Sequence, residues 1–526
     1  MSKKTMRRLA STLLLVASAA AASVAQPPLQ WGDQKNNTYK NPVLNADYSD
    51  PDVVRVNNKY YMVASDFHFM GMQVLESSDL INWRIISQVY DRLELPGFDT
   101  NSQYGGGSWA PAIRHHNGRF YIYFCTPYEG LFMSTAEKPE GPWTPLHCVK
   151  DVKYWEDPCP FWDEDGQAYL GRSQLGAGPI IIHKMSPDGT RLLDDGVTVY
   201  EGPIAEGTKF LKRNGYYYLV IPEGGVSKGW QTVLRSKNIY GPYERRIVLE
   251  QGTTTINGPH QGALLQHNDD TWWFIHFQDT QPLGRVVHLQ PARWKDDWPL
   301  VGTDIDGNGI GEPVPVWTAP TQPTTTFLPA STDEFSAEHP YWIGQKQRQL
   351  GPQWQWNHNP VDTAWNLTER QGWLTRHILP ATSIKDARGT LCQKTMGYKS
   401  EATTRIDCSQ LRDGDHTGLL CMGKEFKGIG VCKKGNRHIY IEDDGKRTIL
   451  EPCRKIVYLR ITIDSKQNIH QFSYSTDGKH YTPVGQPFSM HNGHWKGAHI
   501  GLYAYNPTES QGGKVQTDYF RYNILK

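Results

Sequence analysis

The sequence predicts an all-β protein, and three observations carry that expectation. Helix-period segments are scarce along the 526 residues. A polar turn followed by alternating aromatic and β-branched residues recurs five times, the pattern of a hairpin running into a strand. Trp (18) and Tyr (27) are abundant, and large rings with one polar edge suit the spaces between stacked sheets.

Residues 1–25 stand apart from the fold. Lys3, Lys4, Arg7 and Arg8 precede a short apolar stretch, Leu9 to Ala22, and small residues follow at Ser23 and Ala25. This is the pattern of a secretory signal peptide, with an apolar core too short to span a bilayer. The expected location is therefore secreted or periplasmic. The leader holds four of the 55 basic residues and none of the 54 acidic ones, leaving 51 against 54 in the remainder. Such a balance argues against nucleic acid or an anionic membrane as partner. The eight cysteines form no CxxC pair, which speaks against a thiolate metal site or a dithiol redox centre. Mostly free, buried thiols are expected.

The repeated hairpin reads "NNKYYMVAS" at 57–65, "NGRFYIYFC" at 117–125, "DGQAYLGRS" at 165–173, "NGYYYLVIP" at 214–222 and "DDTWWFIHF" at 269–277. Aligned on Tyr60, Phe120, Ala168, Tyr217 and Trp272, the copies are 60, 48, 49 and 55 residues apart. A unit of that size cannot bury both faces of its own sheet, so the copies must pack on one another. Five copies predict a five-bladed β-propeller over residues 26–317. The stretch "TAPTQPTTTFLPAST", 318–332, crowds Pro and Thr together and reads as an extended linker. From 333 to 526 alternating strands return without that grouping, and a β-sandwich is expected.

Innermost strands of a propeller share one tunnel, so acidic residues at equal offsets from the repeat are candidates for a common site. Asp50 lies ten residues before Tyr60, Asp157 eleven before Ala168 and Glu206 eleven before Tyr217. Those offsets place the three on inner strands, pointing at the axis. Asp47 and Asp52 flank Asp50 and read as scaffold, through turn bonds and strand-edge polarity. Paired carboxyls in an aromatic tunnel suit glycoside hydrolysis. A protonated one donates to the leaving oxygen, and an ionised one activates water. Crowding like charges in a poorly hydrated pocket supplies the protonated partner.

The ordered stretches "NPVLNADYSDPDVVRVNNKYYMVAS", "GSWAPAIRHHNGRFYIYF", "EDPCPFWDEDGQAYL", "AEGTKFLKRNGYYYLVIPEGG", "GPHQGALL" and "LGRVVHLQPARWKDDWP" resemble glycoside hydrolase family 43. The C-terminal "GAHIGLYAYNPTESQGGKVQTDYFRY" looks like the concanavalin A-like sandwich of its β-xylosidase branch. The resemblance implies an inverting enzyme with Asp50 as general base, Glu206 as general acid and Asp157 as modulator of the acid's pKa. It implies further that Phe67 and Trp109 wall the sugar subsite, that His260 lines its floor and that Arg285 binds sugar hydroxyls. Asp52 after "DP" and Thr208 in "EGT" depart from the family pattern and leave the rim of the subsite open.

The resemblance also leaves room for a structural Ca2+ near the propeller axis, linked to His260, though no cofactor is required. "DIDGNG" at 304–309 begins like a calcium-binding loop but places Pro315 where the bidentate Glu belongs, so it reads as a Gly-rich turn. The expected substrate is an oligosaccharide or polysaccharide fragment, from which terminal β-D-xylosyl units are removed. An α-L-arabinofuranosidase is the alternative. An endo-acting arabinanase and a sugar-binding propeller without catalysis are the more distant readings. Oligomeric state is not legible.

Overall fold

The computed structural model describes residues 29–268, 270–329, 332–336, 350–508 and 512–525; the expected leader, 1–25, lies outside the described residues. Between Ser49 and Val301 the chain forms five four-stranded antiparallel sheets, each built from four consecutive strands. Sheets I to V open with Ser49–Val56, Trp109–His116, Trp155–Trp162, Lys209–Arg213 and His260–Gln266. Each first strand pairs with the strand of a repeat hairpin: Lys59–Ser65, Arg119–Thr126, Ala168–Gln174, Tyr216–Glu223 and Trp272–Thr280. Asn117-Gly118 and Asn214-Gly215 turn two of these hairpins with both residues at positive φ, the conformation a two-residue hairpin loop needs.

The five first strands contact one another in a ring. That of sheet I touches those of II and V, III touches II and IV, and IV touches V. Apolar residues fill the spaces between neighbouring sheets; Tyr218, Val220 and Val233 of sheet IV, for example, pack on Phe274 and Trp298 of sheet V.

A register slip recurs in these first strands. Pairing shifts between Ser49 and Asp52, Trp109 and Ala112, Glu156 and Cys159, and His260 and Gly262. A residue within each slip has positive φ: Asp50 (53°), Ala110 (37°), Asp157 (55°) and Gln261 (33°). Gly207 (64°) holds the corresponding place just ahead of the sheet IV strand. Such a bulge breaks the in–out alternation of a strand and re-aims the side chains around it.

Two seven-stranded antiparallel sheets, VI and VII, follow between Gln355 and Ile524. Strands Lys399–Asp407 and Ile456–Asp464 of sheet VII alternate buried and half-buried residues, as a strand with one core face must. Ile461 and Phe520 of sheet VII share one apolar cluster with Leu419, Ile429 and Leu502 of sheet VI. A small third arrangement joins Gly32–Asp33, Thr38–Lys40 and Val316–Thr318, so Thr318, where the linker is expected to begin, is still paired, with Thr38.

Buried charges cross from the C-terminal sheets to the ring. Lys496 lies 2.9 Å from Asp47 and Lys394 2.6 Å from Asp66, with Lys496 also 3.8 Å from Asp66. All four side chains are at most 5% exposed. Burial pushes the Lys394 ammonium down to about 8, against the pull of Asp66. Although burial opposes ionisation, the two lysines hold both carboxyls below their ordinary range. The 304–309 turn is closed by its own side chains: Asp304 accepts the amides of Gly307 and Gly309. All eight cysteines are free thiols, and six of them are buried.

Candidate active site

Asp50 sits in the bulge of sheet I, on a left-handed backbone immediately before Pro51. Asp tolerates that conformation better than most residues, and strain of this kind gathers at working sites. Its carboxylate is buried and fully engaged. Arg285 Nη1 is 2.8 Å from Oδ1, and the Ser65 hydroxyl donates to Oδ2 at 2.6 Å. Arg285 is itself buried, its guanidinium 4.8 Å from the centre of the Phe277 ring. The family resemblance implies that Arg285 binds sugar hydroxyls; in the structure one end of its guanidinium is bound to Asp50.

The neighbours of Asp50 are scaffold. Asp47 accepts the backbone N–H groups of Arg285 and Gly497 beside its Lys496 ion pair. Asp52 pairs with Arg114 at 2.6 Å and accepts the Ile113 amide.

Asp157 occupies the equivalent bulge in sheet III. Its Oδ2 accepts the Gly207 amide at 2.6 Å and the Ser173 hydroxyl at 3.2 Å. Burial first, then the charges of Glu206 and Asp50, push its pKa up to about 7. Glu206 departs from expectation. It lies in the connection ahead of Lys209–Arg213, not on a strand, and stands one place earlier than the bulge. Its amide nevertheless bonds to the Pro222 carbonyl, which extends the sheet pairing far enough to aim it inward. The equal offsets counted along the sequence therefore do not mark equal positions. Glu206 is equivalent to Trp109, Glu156 and His260, each just before its bulge.

His260 Nε2 is 2.6 Å from Glu206 Oε1, and the ring is buried. Burial works against ionisation of Glu206, but the hydrogen bond and electrostatic pull of His260, with Arg285, hold it below the ordinary carboxylate range. An oxygen from each of Glu156, Asp157 and Glu206 lies within 4.8 Å of the others. Carboxyls this close resist ionising together, so burial and like charge raise Glu156 and Asp157 and the three share protons as one set.

Phe67 is only 2% exposed and meets Trp109 edge to face at 5.8 Å, so it braces the wall more than it forms it. Trp109 is half-buried, its indole N–H held by the Gly105 carbonyl at 2.8 Å. A residue that sequence reasoning missed completes this side. Trp495, from the C-terminal half, is 56% exposed, 6.2 Å from the Trp109 ring and 5.9 Å from the Arg285 guanidinium. Its one signal is a Trp in the polar, Gly-containing stretch "HNGHWKG". Glu156 was also missed, because alternation along a strand sends it away from Asp157.

A calcium linked to His260 would use Nδ1, which is buried without a hydrogen-bond partner. Calcium takes six to eight oxygen ligands, however, and the carboxylate bonded to this ring, Glu206, sits on the opposite nitrogen. Among the described residues, no carboxylate is bonded to Nδ1 to begin a calcium cage there. A cavity of about 750 Å3 lies elsewhere, among Trp143, Trp354, Trp356 and Trp365, and does not include these carboxyls.

Buried carboxyls gathered beside a half-buried and an exposed indole on an all-β scaffold suit the chemistry of a glycoside hydrolase. The chain belongs to glycosyl hydrolases family 43, whose model matches residues 39–299; the model of the beta-xylosidase C-terminal concanavalin A-like domain matches 346–523. A relative from Xylanibacter ruminicola, provisionally named a beta-xylosidase, is 60% identical over 472 residues, 90% of this chain and 87% of its own. The beta-xylosidase of Formosa agariphila is 35% identical over 94% of this chain and 91% of its own. Among solved structures, the GH43 protein of Bacillus licheniformis has a TM-score of 0.81 at 26% identity, covering 93% of this chain and all of that one.

Proposed function

We propose that this glycoside hydrolase is an exo-acting, inverting β-D-xylosidase that removes terminal xylosyl units from xylo-oligosaccharides. The carrying observation is the pairing of Asp50 with Arg285 on one side and of Glu206 with His260 on the other. In this reading Asp50, held in place by the Arg285 guanidinium, takes a proton from water as that water attacks the anomeric carbon. Glu206 gives its proton to the leaving oxygen, and Asp157 governs when Glu206 holds one. His260 orients Glu206, and Trp109 with Trp495 offers flat faces to the sugar.

Inversion needs room for a water, with carboxyls roughly 6.5–9.5 Å apart. The ring of contacts supports that gap, because sheet V stands between sheets I and IV. The same ring supports reading the five sheets as the blades of a five-bladed propeller. The two family-model spans support a catalytic domain of 26–317, a linker of 318–332 and a sandwich of 333–526. The basic and apolar make-up of residues 1–25 supports export to the periplasm or medium.

The experiment is xylotetraose hydrolysis followed by proton NMR from the first turnover, beside an aryl α-L-arabinofuranoside. Release of α-xylose together with xylotriose is expected in the first turnover. Xylobiose among the first products, initial β-xylose, or turnover of the arabinofuranoside only would overturn the reading.

A further inference from the structure

Glu156 has no part in the chemistry described so far. It precedes the bulge of sheet III, the position that Glu206 holds before sheet IV and His260 in sheet V. In a regular strand, neighbours point to opposite faces. The left-handed turn at Asp157 cancels that rule and folds both side chains into one space. Glu156 is 5% exposed, its Oε1 takes the Ala177 amide at 3.2 Å, and its carboxyl lies within 4.8 Å of those of Asp157 and Glu206.

The charged groups around it come from every packed element. Asp157 shares its strand, Glu206 approaches from the sheet IV side and Asp50 from sheet I. Cys125 of sheet II lies behind, with Arg172 of the paired strand near it. His260 and Arg285 act on Glu206, and Lys209 acts on Asp157.

We propose that Glu156 is a positioning residue for the acid step: together with Asp157 it sets the pH up to which Glu206 can be loaded with its proton. This rests on Glu206 being the general acid. The physical argument is one of like charge. Two carboxyls in a dry pocket retain a proton to a higher pH than one, and a third neighbour extends the range again. Burial, then Asp157 and Glu206, push the Glu156 pKa up to about 9, in line with a group that holds protons for the set. In each turnover Glu206 loses its proton to the leaving oxygen, Asp50 gains one from water, and exchange with solvent restores both.

The test is the pH dependence of kcat/KM on xylobiose for Glu156→Gln beside the parent enzyme. Gln keeps the volume and an acceptor for the Ala177 amide. The basic limb is expected to move down by about one pH unit, with activity at the optimum within about tenfold of the parent. An unmoved limb overturns the proposal. So does a higher KM with an unmoved limb, which makes Glu156 a sugar-binding group. Glu156→Met, uncharged and of similar length, is read the same way if Glu156→Gln does not fold. Glu206→Gln is measured in parallel. If it keeps parental activity on xylobiose, the assignment of the acid has failed, whatever Glu156 does.

Discussion

Arg285 is bound at both ends to the segment that runs into sheet I: its Nη1 lies 2.8 Å from Asp50, and its backbone N–H donates to Asp47 at 2.9 Å. Removing one partner of a buried pair leaves an uncompensated charge, at a cost of about 3–5 kcal/mol. Arg285→Ala should therefore lower kcat/KM by about 100-fold or more, with kcat falling as well as KM rising, and should lower Tm. Steady-state kinetics and a thermal melt check this. A change in KM alone would confine Arg285 to sugar binding.

Asp50→Asn keeps an oxygen for the Ser65 hydroxyl but removes the base and the partner of Arg285. Turnover of xylobiose should fall by at least about 1,000-fold. Retention of more than about a tenth of parental kcat would put the base elsewhere.

Glu206→Gln should separate substrates by leaving group. Aryl glycosides with acidic phenols need little proton donation, whereas xylobiose needs it fully. The expected loss is about 100-fold greater on xylobiose. Equal losses on the two would point to a disturbed site.

Asp157 links pH to stability. Its pKa rises from the ordinary 3.8 to about 7, mainly through burial. Between those values the folded protein keeps a proton that the unfolded chain releases, so stability falls as pH rises through that window. Asp157→Asn escapes the penalty and still offers an oxygen to Gly207 and Ser173. Its Tm should exceed the parent's, and by more at about pH 8 than at about pH 5. Its basic limb of activity should move to lower pH, since Glu206 loses a negative neighbour. Melts across pH that show the same difference throughout would count against the buried acid.

Trp495→Ala removes an exposed ring and should leave Tm near the parental value. KM for xylobiose should rise about tenfold, with kcat within about threefold, as loss of one stacking face predicts. A parental KM would set Trp495 outside the sugar path.

The ring of sheets was legible because turn and strand chemistry repeat, as at Asn117-Gly118 and Asn214-Gly215. Asp50 and Asp157 were legible for the same reason, each lying a near-constant distance before its hairpin. Glu206 was found by an offset that turned out to be one bulge position away from the other two. Glu156 was hidden because a strand's alternation is a rule about regular backbone, and a left-handed residue suspends it. Trp495 was hidden because only tertiary packing brings position 495 to position 109; nothing local in either segment records the contact. The second role of Arg285 was hidden likewise, since a motif names a residue and not its partner.

The Asp47–Lys496 and Asp66–Lys394 pairs bear on how this protein can be cut and recombined. Each joins a carboxylate of the N-terminal half to an ammonium of the C-terminal half, with neither member in reach of bulk water. A chain ending near residue 332 would keep both acids and lose both bases, next to the Arg285 amide that Asp47 holds and the Ser65 carbonyl that Lys496 holds. The C-terminal sheets are thus no exchangeable attachment. Domain shuffling that respects the family boundary but not these four residues would yield an N-terminal part with two buried anions left without their ammonium partners.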